Sequence, residues 1–254
     1  MEVAVLASGS KGNSTLIKTK NHKILVDAGM SVKYLEDQLR LAEVLIKDID
    51  YIFITHTHTD HISALNNMLK KYTPTIVLTT KMFEDLKFLK NYDRIIILEE
   101  DLMLGSLIVE SIPTSHDASD SRGYCFTEAD DSVVLITDTG YINRKYFKKI
   151  SNKKIYIFES NHDIEMLQNG KYPNWLKQRV YSPVGHLSNE RASFYLSKII
   201  GPNTKQIILA HLSEENNSPE IALANIKDCF NRKNIVFTNI ITASQFEITE
   251  SSRL

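Results

Sequence analysis

Cysteine is scarce in this sequence, and the two present, Cys125 and Cys229, lie far apart in apolar surroundings. That excludes a disulfide framework and points to buried, reduced thiols in a cytoplasmic protein. Proline (6) and glycine (9) are few and scattered over the 254 residues. No linker, low-complexity tract or internal repeat therefore divides the chain, and one domain over residues 1–254 is expected. Neither sign of charge dominates: 30 Lys and Arg face 31 Asp and Glu, a formal net charge of −1. A uniformly basic nucleic-acid coat is thereby excluded, though a local basic face is not. No apolar run approaches the ~18 residues of a membrane span, and Met1–Ala7 is too short for a signal peptide. What is present, 43% hydrophobic and 24% charged residues, is an ordinary globular composition. Disorder, collagen and fibrous repeats are excluded.

Short β-prone runs at Val3–Ala7, Ser14–Lys18 and Lys23–Asp27, parted by turn residues, predict an antiparallel meander. A helix over Val32–Leu41 and an apolar strand over Tyr51–Thr55 follow. His61–Tyr72 has apolar residues at helical spacing (Ile62, Leu65, Leu69), and Met82–Lys90 has helical character between strands at Thr75–Leu78 and Arg94–Leu98. Further strands are expected at Leu107–Pro113, Gly123–Glu128 and Ser132–Thr137, the last two joined by a turn at Asp130–Asp131. The second half alternates: helix Arg144–Ile150, strand Lys154–Phe158, helix Ser188–Ile200, strand Gln206–Ala210, helix Pro219–Phe230 with Ser218 as N-cap, and strand Ile235–Thr238. Meander first and alternation later give a layered α/β sandwich.

The sharpest chemical signal is Thr55-His56-Thr57-His58-Thr59-Asp60-His61, directly after an apolar strand. In extended backbone, residues two apart point the same way, so His56 and His58 can grip one ion. Where the chain turns into a helix, Asp60 and His61 point elsewhere and can grip a second. Imidazoles and carboxylates suit zinc or manganese. A polar loop holding three histidines by accident is the bland alternative; the sequence has eight histidines in all. Three further residues stand at apolar strand ends: His116 after Leu107–Pro113, Asp138 after Val133–Thr137, and His211 after Ile207–Ala210. Taken singly, each could merely tie a turn.

This order of residues resembles the metallo-β-lactamase superfamily, specifically its dinuclear hydrolases, whose pattern is HxHxDH, then His, then Asp, then His. The match runs from Asp27, in Val26-Asp27-Ala28-Gly29, to His211. The resemblance implies an α/β (α+β) fold, the four-layer αββα sandwich with metals at one edge. Carried over by position, it implies that His56, His58 and His116 hold one metal, and that Asp60, His61 and His211 hold the other. Asp138 would bridge them, and Asp27 would orient ligands or the loop that bears them. Two divalent cations against two carboxylates and a bridging hydroxide leave one positive charge, which suits an anionic phosphodiester; the metal-bridging hydroxide would be the nucleophile.

Ala7-Ser8-Gly9-Ser10-Lys11-Gly12-Asn13-Ser14 is similar to the SGSxGNS signature of the YycJ/WalJ-like branch, bacterial hydrolases regarded as DNA-processing. As a bare glycine-rich turn its N–H groups could approach a phosphate, or it could be purely structural. Glu159, in Glu159-Ser160-Asn161-His162-Asp163, and His186, in Gly185-His186-Leu187-Ser188, resemble the catalytic glutamate and histidine of tRNase Z-like phosphodiesterases. His186 would protonate the leaving alkoxide and Glu159 would orient it. His162 either lines the site or starts a surface helix, His22 reads as a hairpin turn, and Cys125 reads as core rather than ligand. Only 21 residues separate His116 from Asp138, too few for the long tRNA-clamping arm. The segment Tyr141–Tyr181 holds nine Lys or Arg against three acids, with Tyr146, Tyr172 and Trp175 interleaved, which fits either phosphate-backbone contact or a solvated face.

The expectation is a cytoplasmic metal-dependent phosphodiesterase, a DNA exonuclease holding two Zn2+ or Mn2+ ions and acting on a nucleic-acid partner. A small-molecule cyclic phosphodiesterase shares this chemistry, but such relatives carry a cysteine-bearing structural zinc site that two cysteines cannot build. A thioester or carboxylic ester hydrolase of the same fold is the third reading, without an evident C-terminal glutathione-binding domain. A metal-stabilised binding module is the non-enzymatic one.

Overall fold

The computed structural model describes residues 1–251; positions 252–254 of the expected domain lie outside the described residues. In chain order the strands are β1 (Glu2–Ala7), β2 (Ser14–Lys18), β3 (Lys23–Val26), β4 (Tyr51–Phe53), β5 (Thr75–Leu78), β6 (Ile95–Ile97), β7 (Leu102–Leu104), β8 (Leu107–Pro113), β9 (Arg122–Glu128), β10 (Asp131–Ile136), β11 (Ile155–Glu159), β12 (Gln206–Ala210), β13 (Ile240–Thr242) and β14 (Thr249–Glu250). Helices are α1 (Val32–Leu41), α2 (Thr59–Ile62), α3 (Leu65–Leu69), α4 (Thr80–Asp85), α5 (Phe147–Ile150), α6 (Ile164–Asn169), α7 (Asn174–Tyr181), α8 (Asn189–Ile199) and α9 (Pro219–Arg232). Two seven-stranded sheets result, ordered β14-β1-β2-β3-β4-β5-β6 and β13-β12-β11-β10-β9-β8-β7.

Period-2 alternation sorts the side chains into layers. Val3 and Val5 of β1, with Val133 and Leu135 of β10, join the cluster between the sheets, around Phe53, Tyr124 and Phe126. Ala4 and Leu6 point outward to the layer under α1 and α3, whereas Val134 and Ile136 point to the layer under α8 and α9. Burial of each large side chain in these clusters contributes roughly 2–3 kcal/mol. The product is the αββα arrangement expected. At one edge the sheets are stitched directly, Tyr124 Oη donating to Ile54 O (2.5 Å) and Arg122 N–H to Thr55 O (2.8 Å).

The pairing places the chemistry. β3 runs parallel to β4, and β10, β11, β12 and β13 are mutually parallel. Two antiparallel steps make β1 parallel to β3, and two more make β8 parallel to β10. The chain therefore leaves β1, β3, β4, β8, β10, β11 and β12 at one common edge, where open α/β sheets place ligands.

Three expectations need correction. The apolar run Ile235–Thr238 is not a strand: Val236 is 95% exposed, Ile235 and Phe237 pack in the outer layer, and the pairing with β12 is made by Ile240–Thr242. The helix expected over His61–Tyr72 is two short ones. Ala64 N–H donates to Ala28 O, and Asp60 O accepts from Asn13 N–H, so the helical bond between residues 60 and 64 is replaced at both ends. The β9–β10 turn is Ala129-Asp130, one residue earlier than expected, with Ala129 at φ 51°. Helices α6 and α7 and strands β7 and β14 had no counterpart in the sequence reading. Among the described residues no helix is long and apolar enough to cross a membrane.

Candidate active site

All seven expected ligands meet at that edge. The ring nitrogens of His56, His58 and His116 form one group within ligand distance of one another; those of His61 and His211 with an Asp60 oxygen form a second; Asp138 joins His56 and His61. His61 Nε2 lies 3.3 Å from Asp138, His211 Nε2 3.5 Å and His116 Nε2 3.9 Å. Asp138 thus stands within reach of both groups.

Four of the five rings are turned by a partner behind them, which decides which nitrogen faces inward; His58 Nδ1 instead lies 3.3 Å from His116 Nε2. His61 Nδ1 donates to Asp27 Oδ2 (2.7 Å), the carboxylate that also accepts the Thr55 N–H and hydroxyl. His56 Nδ1 contacts Thr55 Oγ1 (3.1 Å), and His116 Nδ1 donates to Gly185 O (3.2 Å). His211 Nδ1 donates to Glu159 Oε1 (3.1 Å). Asp27, Asp138 and His211 hold φ values of 64°, 53° and 57°. Three left-handed non-glycine residues in one site store strain of order 1 kcal/mol each, as sites over-determined by their surroundings do.

Whether these residues suit a metal is decided by their unspent atoms. His56 Nε2, His211 Nε2 and Asp138 Oδ2 are buried without a hydrogen-bond partner among the described residues, a costly state unless a cation completes them. Charge agrees. Burial and the neighbouring rings hold His56 well below the usual imidazole range, the neutral form a metal requires. Burial would lower His211, but Asp138, Asp60 and Glu159 push it up to about 10. Burial would likewise raise Asp138, yet His211 and His61 hold it well below the carboxylate range. The donor set, imidazole and carboxylate, fits zinc or manganese.

Beside this cluster, Glu159 is fully buried and His186 18% exposed. Glu159 Oε1 accepts from His186 Nδ1 (2.8 Å) as well as His211, while Oε2 accepts the N–H groups of Thr139 and Leu187 (both 3.0 Å). Burial alone would raise this carboxyl; His186 and His211 bring it down to about 2.

The glycine-rich loop between β1 and β2 is a buttress rather than a phosphate cradle. Gly9 N–H donates to Asn13 Oδ1 (2.9 Å), Gly12 N–H to Gly9 O (3.1 Å) and Asn13 N–H to Asp60 O (2.8 Å). Ser8 Oγ accepts the His211 N–H (2.7 Å), and the Asn13 amide donates to Asp60 Oδ2 (3.1 Å). A Cβ on Gly29 would sit 2.1 Å from Asp60 O, so the β3 end and the histidine loop touch there as bare backbone. Asn13→Ala is expected to weaken divalent-ion affinity by about 10–100-fold with the fold retained. A chelator-competition titration reads this, and unchanged affinity would reduce the loop to a turn. The signature was visible in the sequence; its role was not, because it depends on residues 47 and 203 positions away.

His162 is fully buried and bridged to Ser188, so the surface-helix alternative does not hold; burial drives its imidazole down to about 4. Cys125 lies in β9 opposite Glu110, buried, its thiol pushed up to about 11 by burial. His22 sits in the β2–β3 turn against the Tyr51 ring. The basic segment is partly spent: Lys149, Lys153 and Lys154 pair with Asp101, Glu110 and Asp131, and Lys153 and Lys154 precede β11, at the end away from the site. Phosphate contact is therefore not available from the whole segment.

The family model of the metallo-beta-lactamase superfamily matches residues 7–186. The exodeoxyribonuclease YycJ of Bacillus anthracis is 37% identical over 238 residues, covering 92% of this chain and 90% of that protein. The exodeoxyribonuclease WalJ of Streptococcus pneumoniae serotype 2 is 39% identical over 226 residues, 86% and 84% respectively. Among solved structures, the metallo-beta-lactamase fold protein YhfI from Bacillus subtilis superposes with a TM-score of 0.72 at 18% identity, covering 98% of both chains.

Proposed function

This chain belongs to the metallo-β-lactamase superfamily, and from that premise we propose that it is a DNA exonuclease, a metal-dependent phosphodiesterase with two divalent ions. The observation that carries the reading is Asp138 standing between two groups of imidazoles, with the His186–Glu159 couple beside them. The names of the two nuclease relatives, matched over most of both chains, support DNA as the substrate. His56, His58 and His116 would hold one ion and Asp60, His61 and His211 the other, with Asp138 shared. Zinc or manganese there would supply Lewis-acid polarisation of a phosphoryl oxygen and a water acidic enough to act near neutral pH.

The remaining work falls to the chain itself. His186 gives its Nδ1 proton to the hydrogen bond with Glu159, so Nε2 is the atom that holds and releases a proton to the departing alkoxide. Glu159 balances the charge of the doubly protonated ring and, through its second oxygen, is fixed by two backbone amides. Asp27 and Asn13 hold the histidine loop rigid, so that little reorganisation accompanies reaction. Both sheets contribute to the site, which supports reading residues 1–254 as one hydrolase domain; the free thiols of Cys125 and Cys229 suit the cytoplasm.

The test is a panel of 5′-phosphorylated single- and double-stranded DNA, RNA and a cyclic phosphodiester, each with zinc or manganese. Stepwise shortening of DNA on a sequencing gel is expected. Turnover of the cyclic diester alone would assign the site to small molecules.

A further inference from the structure

Between Glu159 and His186 the chain makes an excursion, α6 and α7, that the reaction chemistry does not use. We infer that this excursion is the strand-holding arm of the site: Trp175 stacks a base of single-stranded nucleic acid while Lys171 and Lys177 carry its phosphates, Arg179 anchoring the arm to Asp117. This rests on the nuclease reading above and adds which residues grip the polymer.

Four observations place the arm at the mouth. Arg179 Nε donates to Asp117 Oδ2 (2.5 Å), while Asp117 Oδ1 lies 3.4 Å from His116 Nε2 and 3.9 Å from His58 Nε2. His58 and Asp117 are 34% and 28% exposed, so the metal-side cluster opens to solvent there. The arm's C-terminal end is bound to the candidate acid itself: His186 N–H donates to Val180 O (2.9 Å), and a Cβ on Gly185 would lie 2.2 Å from Arg179 O. Trp175 precedes Arg179 by four residues on α7, so both lie on one helix face, the tryptophan one turn farther out.

The surface itself has the right chemistry. Trp175, the only tryptophan, is 66% exposed, an unusual placement for a ring that could have been buried. Tyr181 and Tyr141 are also exposed near this rim, Gly140 packing against Pro183 and the Arg191 guanidinium lying over the Tyr181 ring. Arm residues 164–181 carry three basic side chains against the single acid Glu165. Among the described residues Lys177 Nζ bonds the Gln168 carbonyl alone, which ties the two arm helices and leaves its charge uncompensated. A sequence-tolerant aromatic platform beside uncompensated cations is how proteins hold single strands, because every base offers a π-face and every link a charge. The exposed position of these side chains means that their removal leaves the layers intact.

Metal-loaded wild type, Trp175→Ala and Lys171→Glu/Lys177→Glu would be compared on a 5′-phosphorylated single-stranded oligonucleotide and on bis(p-nitrophenyl) phosphate. The ratio of kcat/KM on the oligonucleotide to that on the small diester is expected to fall about tenfold in each variant, through KM. In the charge-reversed variant the salt dependence of the oligonucleotide KM is expected to flatten as well. Equal losses on both substrates, or an unmoved ratio, overturn the arm while leaving the nuclease intact. Wild type that cleaves only the small diester overturns the nuclease reading and the arm with it. A Trp175→Ala chain that changes from dimer to monomer in sedimentation, with its ratio unmoved, assigns the face to a second copy instead.

Discussion

Asp138→Asn is expected to fold normally, to retain at most one of the two divalent ions, and to lose at least about 10³-fold in rate. Asparagine is the informative replacement. It keeps the shape of the side chain and tolerates the left-handed backbone at φ 53°, which alanine would adopt only with strain. What it removes is the negative charge that His61, His211 and His116 all face, at 3.3, 3.5 and 3.9 Å. Without it the two imidazole groups lose their shared anion, and the two proposed cations would repel each other with less compensation. Metal content after dialysis, measured by plasma mass spectrometry, is the direct readout; circular dichroism controls for folding. An asparagine variant with wild-type metal content and rate would show that the two groups do not share Asp138, and the dinuclear centre would have to be abandoned.

Why so much of this site could be read from the sequence follows from the topology. Strand ends are legible as the polar residue that stops an apolar run, and parallel pairing delivers those ends to one edge. His116, Asp138 and His211 follow that rule after β8, β10 and β12, and Glu159 as the last residue of β11. What could not be read depends on contacts across the chain. Asn13 acquires its role from Asp60, and Ser8 from the His211 N–H. The helix after His61 breaks because Ala28 and Asn13 take over its hydrogen bonds, a competition invisible to local periodicity. Helices α6 and α7 were missed because they bury almost nothing: Leu167 in one and Val180 in the other. An amphipathic signal needs an apolar face, and a surface arm has none. Ile235–Phe237 misled for the opposite reason, since alternating apolar residues there pack on α9's layer without any strand partner.

His186 and Glu159 are expected to separate catalysis from metal retention. His186→Ala should keep its metal complement and slow nuclease turnover by roughly 10²–10⁴-fold, the range for loss of a positioned general acid. Its ring is partly exposed and its Nδ1 bonds Glu159 rather than an expected ligand; the His116 and His211 rings lie beside it at 5.1 and 5.2 Å but keep their own bonds to Gly185 O and Glu159 without it. Glu159→Gln should do more than remove a charge. One carboxylate oxygen accepts two imidazole protons and the other accepts two backbone amides, so all four partners are donors. A glutamine must present its NH2 to one of those pairs, facing donor with donor inside a fully buried pocket. His211 then loses the bond that aims its Nε2 inward, and ion affinity should drop about 10–100-fold besides the loss of turnover. The double variant should be barely slower than the worse single one, because the two residues act as one unit. A metal-replete His186→Ala at full rate on DNA would remove the proton-donor role; equal metal loss in both single variants would make His186 part of the scaffold instead.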